Sequence, residues 1–256
     1  MLRPIAIAQT ASFKCDINAN IIHQKKFAEA AADNGAQIII FPELSLTGYE
    51  PEFARNFAVS TDDQRLIPLK NLARDSDMVI VVGAPFFSPE GKLNIGAFCL
   101  LPDESIKVYA KQVLHPGEEQ YFSPGTKDCI LELSNEKIAL AICADISNPA
   151  HARKAAQAGA SIYAVSLLVS YNGYEKDTAL LQKCASVYKM TTLMANHSRE
   201  TGGFVPAGRS AIWDETGRVV AELKGTEEAI IIARKETESW NCKIITVKNE
   251  NAQLQR

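Results

Sequence analysis

The sequence is poor in the groupings that bind metals or cross-link a chain. Its four histidines, His23, His115, His151 and His197, stand far apart, and none sits in an HxxxH or mixed Cys/His ligand spacing. No metal site is expected. Its six cysteines, Cys15, Cys99, Cys129, Cys143, Cys184 and Cys242, form no CxxC pair and no dense framework, which reads as reduced thiols rather than staples. No apolar run approaches the roughly 18 residues of a membrane-spanning helix, and Met1 to Gln9 holds too short an apolar stretch for a signal-peptide core. The formal net charge of -3 comes without the basic stripe needed to neutralise phosphates or lie on an anionic leaflet. A soluble, cytoplasmic protein with neither nucleic acid nor membrane as partner is the expectation.

What remains is material for one good core. Of 256 residues, 46% are hydrophobic and 22% charged, ordinary globular usage within single-domain range. No Pro/Gly/Ser linker divides the chain, so residues 1–248 read as one domain and 249–256 as a polar tail that frays. Short β-branched runs alternate with amphipathic stretches. Strands are expected over Ile5 to Gln9, Gln37 to Phe41, Met78 to Ala84, Ile95 to Leu101, Ile138 to Ile142, Ser161 to Ser166 and Thr191 to Asn196. Helices are expected over Asp16 to Asn34 with Gly35 as its stop, from the Thr61-Asp62-Asp63 cap to near Asp75, over Pro149 to Ala158, and over Tyr174 to Lys189. Asp214-Glu215-Thr216-Gly217 marks a hairpin between Ser210 to Trp213 and Arg218 to Leu223. β-α-β units followed by hairpins predict an α/β fold with mixed sheets.

Three apolar strands end on a reactive side chain: Glu43 after Ile38 to Phe41, Lys111 after Val108 to Ala110, and Cys143 after Ile138 to Ile142. If the strands share one sheet, a carboxylate, an ammonium and a thiol meet at its edge. A cysteine nucleophile needs a base or a lowered pKa, which Glu43 or Lys111 can supply. The oxyanion formed on attack needs fixed donors, a task for Lys111 and the backbone N–H of Ala144. Taken singly, each residue has a plainer explanation. Cys143 suits a packed strand end, Glu43 a turn cap at Ser45 to Gly48, and Lys111 a solvated surface.

The words around these residues decide between the two. Phe41-Pro42-Glu43-Leu44-Ser45-Leu46-Thr47-Gly48-Tyr49, then Lys111-Gln112-Val113-Leu114-His115 with Tyr121-Phe122-Ser123-Pro124-Gly125, then Cys143-Ala144-Asp145-Ile146 resemble the nitrilase, or carbon–nitrogen hydrolase, superfamily, in the same order. Ala195-Asn196-His197-Ser198 through Gly208 to Asp214 is similar to its later strand pair, so the likeness spans residues 3 to 233. It implies a four-layer α-β-β-α sandwich with two mixed β-sheets, dimers or higher homo-oligomers, no cofactor, and a small-molecule amide as substrate. It assigns the base to Glu43, the lysine to Lys111 and the nucleophile to Cys143, and aligning on Tyr121-Phe122 puts a second glutamate at Glu118 rather than Glu119. Where many members read Cys-Tyr-Asp-x-Arg-Phe-Pro-Glu, this chain has Ala144, Ser147, Asn148 and Ala150 at the aromatic, Arg, Phe and Glu places. That alters the pocket wall and any charge pair holding the loop. Nitrile-cleaving members carry Trp-Glu after the cysteine, whereas Ala144-Asp145 resembles the amidase branches.

Tyr49, His115, Phe122, Leu167, Leu168 and Tyr171 fall in loops expected to face the site, with Arg199 and Arg209 as candidates for a substrate carboxylate. The expected activity is hydrolysis of a non-peptide carbon–nitrogen bond through a cysteine thioester. An acyl transferase using the same thioester, and a non-catalytic binding module, are the alternatives.

Overall fold

A computed structural model describes residues 3–237 and 239–247. The predicted tail, Asn249 to Arg256, lies outside them. The first half of the chain runs β1 (Ile5–Gln9), α1 (Ile17–Asp33), β2 (Ile38–Ile40), α2 (Ile67–Ser76), β3 (Val79–Phe87), β4 (Leu93–Leu100) and β5 (Ile106–Ala110). The second runs β6 (Ile130–Leu133), β7 (Glu136–Ile142), α3 (Pro149–Gln157), β8 (Ile162–Ser166), α4 (Tyr174–Tyr188), β9 (Thr191–Ala195), β10 (Ala211–Trp213) and β11 (Val219–Glu222). The hairpin β12 (Ala229–Lys235) and β13 (Trp240–Thr246) then returns to the first sheet, which has the order β13-β12-β1-β2-β3-β4-β5; the second has the order β11-β10-β9-β8-β7-β6. Each sheet holds three parallel strands at its centre, β1-β2-β3 and β7-β8-β9, with antiparallel strands outside them.

The layering follows from period-two alternation. In β1, Ile5 and Ile7 face the other sheet, where they share a core with Ile38, Ile40, Val79 and Val81 and with Ile138, Leu140, Ile162 and Leu193 from opposite. Ala6 and Ala8 turn outward, and their small side chains let α1 and α2 settle close, with Phe27 and Leu69 filling the gap. The second sheet repeats the scheme: Ala139, Ala141 and Val165 meet Ala152 of α3 and Leu181 of α4. Central parallel strands are buried on both faces and mostly apolar, with polar residues such as Gln9, Ser166, Thr191 and Thr192 confined to their ends. The result is the expected α-β-β-α sandwich.

Local signals hold in detail. Asp16 caps α1 by accepting from the Ala19 N–H at 2.9 Å, Gly35 follows it at φ +74°, and Asp63 accepts from the Arg65 N–H ahead of α2. The strand β6 and several short 3₁₀ turns had no counterpart in the sequence reading. One expectation needs correction. The strands preceding Glu43, Lys111 and Cys143 do not share a sheet: β2 and β5 belong to the first and β7 to the second. The three groups meet because the two sheets stack with the C-terminal ends of β2 and β7 at the same end.

Candidate active site

Glu43 sits in the loop after β2, and its approach depends on one glycine. A Cβ built on Gly83 of β3 would lie 2.3 Å from the Leu44 nitrogen, so only a glycine there lets the loop cross the strand. Sheet two secures the loop from the other side. The fully buried His197 donates from Nε2 to the Glu43 carbonyl at 2.7 Å, and Ser166 Oγ donates to the Phe41 carbonyl at 2.7 Å. Burial pulls the His197 imidazole down to about 4, so it acts as a neutral donor.

Lys111 follows β5, where its N–H bonds to the Ile95 carbonyl, and its whole side chain is buried. The ammonium donates to Glu43 Oε1 at 2.7 Å and to Glu118 Oε1 at 2.8 Å. Glu118 also accepts from the Tyr49 hydroxyl at 2.7 Å and, through Oε2, from the His115 N–H at 2.7 Å. Glu119 is exposed and accepts only locally, from Gly117. The buried partner of the lysine is thus Glu118. Two of the three ammonium donors are engaged, leaving one for a ligand.

Cys143 begins a 3₁₀ turn immediately after β7, at φ +43°. A non-glycine residue in that region is strained, and Asp145 over-determines the turn. Its Oδ2 accepts from the Ile142 N–H at 2.9 Å and the Tyr109 hydroxyl at 2.6 Å. Its Oδ1 accepts from the Gln112 and Val113 N–H groups at 3.0 and 2.8 Å. One buried carboxylate therefore ties the nucleophile's turn to the segment after Lys111. Tyr109 continues to His151, which continues to Tyr163, each at 2.8 Å. This buried network supports the turn from behind. Sequence reasoning quoted Asp145 only as part of a motif; its burial among four donors was the missing information.

The electrostatics separate the two routes to a nucleophile, a neighbouring base and a pKa lowered by Lys111. Burial pushes the thiol up and Glu43 adds to this, outweighing the lowering by Lys111, so the resting sulfur is protonated. Glu43 is raised to about 7, first by burial and then by Glu118, against the pull of Lys111. Burial alone would lower Lys111, but Glu43, Cys143 and Glu118 together hold it above its usual range, and it stays charged. Glu43 Oε2 has no hydrogen-bond partner among the described residues, and the thiol is close enough to act on the carboxyl's ionisation. The site pairs a neutral thiol with a carboxyl poised to gain or lose a proton near neutrality.

A cavity of about 400 Å³ opens on Cys143 and Glu43. Tyr49, His115, Ala144, Leu167 and Leu168 are among the residues that line it. Phe122 does not: it is packed in the core between the sheets. Tyr171 is 62% exposed and off the cavity wall. Arg209 is held by Glu222 at 2.9 Å from Nε and stacks on Tyr174, while Arg199 lies 4.0 Å from Glu228, so neither faces the thiol. Lining residues that the sequence reading missed include Lys176, Asp177, Leu180 and Phe204.

A half-buried thiol and a carboxyl on the wall of a small cavity, with a doubly held ammonium buried behind them, define a cysteine-dependent enzyme of acyl chemistry. The carbon–nitrogen hydrolase family matches residues 4–241, and the chain belongs to it, on the amidase-like side of the nitrilase superfamily. A glutamine-dependent NAD(+) synthetase of Thermotoga maritima is 26% identical over 239 residues, 89% of this chain and 41% of the synthetase, so the chain spans well under half of that relative. A probable nitrilase of Schizosaccharomyces pombe is 27% identical, over 89% of this chain and 86% of its own. Among solved structures, an amidase from Nesterenkonia sp. AN1 superposes with a TM-score of 0.82 at 27% identity, over 91% of this chain and 93% of the amidase. Variants of that amidase carry acrylamide added at the active-site cysteine or hold butyramide in complex.

Proposed function

We propose that the protein hydrolyses the carbon–nitrogen bond of a small amide through a thioester on Cys143. The observation that carries this is the Lys111 ammonium, held by Glu43 and Glu118 beside the thiol with one donor left free. Glu43, ionised above about pH 7, takes the thiol proton as sulfur attacks the carbonyl carbon. The carbonyl oxygen becomes an oxyanion, met by the free Lys111 donor and by the Ala144 N–H, which the start of a helical turn leaves without an internal partner. The intermediate collapses, and the leaving nitrogen departs as ammonia or amine with the proton from Glu43. Water then gives its proton to Glu43 and its oxygen to the thioester carbon, releasing the acid and restoring the thiol. Glu118 holds Lys111 in place, with Tyr49 and the His115 N–H fixing Glu118 in turn.

Amides rather than nitriles are the substrates in this reading. An amide must lose a nitrogen that needs a proton, and Glu43 delivers one from the position where it deprotonates Cys143. The Nesterenkonia amidase with butyramide bound supports the same choice. Ammonia release from matched amide and nitrile pairs tests it, and faster release from the nitriles would refute it. No helix among the described residues is long and apolar enough to cross a membrane. We also propose assembly as a homodimer or higher oligomer, supported by the family likeness and by Val187, 56% exposed on α4. Light scattering tests it, and a strictly monomeric mass would refute it.

A further inference from the structure

One side of the Cys143 cavity differs in character from the rest. Leu114, Ile146, Leu167, Leu168, Leu180 and Phe204 give it apolar walls, suited to the carbon chain of a small amide. Two consecutive charged residues in the first turn of α4, Lys176 and Asp177, nevertheless line the same cavity. Asp177 is half-buried, with Oδ2 lying over Gly173, where an added Cβ would stand 3.3 Å from it. Burial pushes its carboxyl up, opposed only by the charges of Lys176 and His115 at a distance. Among the described residues its side chain has neither a hydrogen bond nor an ion pair.

Neighbouring helix positions do not face one another, so Lys176 and Asp177 offer separate charges of opposite sign at different points of the rim. A carboxylate in a first turn suits the helix dipole, but Glu175 already supplies one there. The dipole gives no reason for Lys176 to line the cavity. Lys176 is exposed and keeps its hydration, whereas half-buried Asp177 has lost part of its own without gaining a partner, and a bound counter-charge offsets that loss. A lone ammonium on Asp177 would be repelled by Lys176, whereas a ligand carrying both signs complements both.

We propose that the Lys176–Asp177 turn of α4 reads a zwitterionic head on the substrate, ammonium on Asp177 and carboxylate on Lys176, so that the substrates are side-chain amides of amino acids. The inference rests on the amide-hydrolase reading, with the apolar walls holding the methylenes between the head and the amide carbon at Cys143.

Four compounds with the same amide and chain test it: L-glutamine, glutaramate without the amine, 4-aminobutanamide without the carboxylate, and butyramide without either. The expected kcat/KM for glutamine exceeds that for butyramide about 100-fold, roughly tenfold from each head group at ~1.4 kcal/mol per factor of ten. Asp177→Asn should cut the glutamine-to-glutaramate ratio about tenfold, and Lys176→Met should do the same to the glutamine-to-4-aminobutanamide ratio. Each ratio is internal to one variant, so a loss of folded protein cancels. Calorimetry with Cys143→Ala should give the same order of binding without turnover. Butyramide cleaved as well as glutamine, with ratios unmoved by either substitution, overturns the head-group site and leaves amide hydrolysis standing. Asp177-dependent glutamine binding with no ammonia from any of the four supports the head-group site and overturns the hydrolase reading.

Discussion

Replacing Lys111 with methionine removes the one cation from a site that holds two buried carboxylates. Its charge-assisted bonds to Glu43 and Glu118, 2.7 and 2.8 Å long, are fully shielded from water. Deleting one partner of such a buried cluster costs about 3–5 kcal/mol, because the remaining charges are left uncompensated. Protonation relieves part of this. Glu43 already sits at about 7 against an ordinary 4.5, and losing the ammonium moves it higher still. A carboxyl raised on folding binds protons that the unfolded chain does not, so its contribution to stability is complete below the unfolded value and is lost as pH rises through the folded one. The variant's deficit should therefore be small near pH 5 and widen as pH rises past about 7, so that it is clear by pH 8. Urea unfolding across that range measures it. Adding Glu43→Gln to Lys111→Met should restore much of the stability at the higher pH while leaving the protein inactive. A Lys111→Met protein with the wild-type midpoint at pH 8, or a double variant no better than the single, would refute the reasoning.

The kcat/KM profile of the wild type should fall on its acid side with a pKa near 7, set by Glu43 in the free enzyme; an acid limb near 4.5 would show that another group is the base. Iodoacetamide should label Cys143 at a rate that climbs through the same pH, and Glu43→Gln should slow it, since the thiol is protonated at rest; labelling independent of Glu43 would contradict this. Gly83→Ala should cost about 1–3 kcal/mol in thermal or urea unfolding, and impair turnover beyond that loss, because the new methyl strikes the Leu44 nitrogen; a variant of normal activity would separate the Glu43 loop from that strand.

Much of this was legible in the chain because the informative signals were local. Central strands such as Ile5 to Gln9 begin as unbroken apolar runs, Asp16 and Asp63 announce helix starts, and the segments around Glu43, Lys111 and Cys143 carry a family's wording. What depended on distant contacts was not legible. Phe122 lies beside the Glu118 segment, and only the packing of two sheets shows that it points into the core. Asp145 looks like any acidic residue after a cysteine until the N–H groups of Gln112, Val113 and Ile142 converge on it. The resting state of Cys143 was not legible because a lysine nearby in space lowers a thiol's pKa only if burial and a neighbouring carboxyl do not outweigh it, and burial cannot be read from spacing. Lys176 and Asp177 gave no signal, since a charged pair in a first helical turn is ordinary until the turn lines a cavity.

Acid-quenching the protein during turnover of an amide, with intact mass and peptide mapping, tests the thioester most directly. The account predicts an added acyl group on the peptide containing Cys143, formed as ammonia is released and absent from Cys143→Ala. Ammonia release at an undiminished rate from Cys143→Ala, or an acyl group mapped to Cys15, Cys99, Cys129, Cys184 or Cys242, would contradict it.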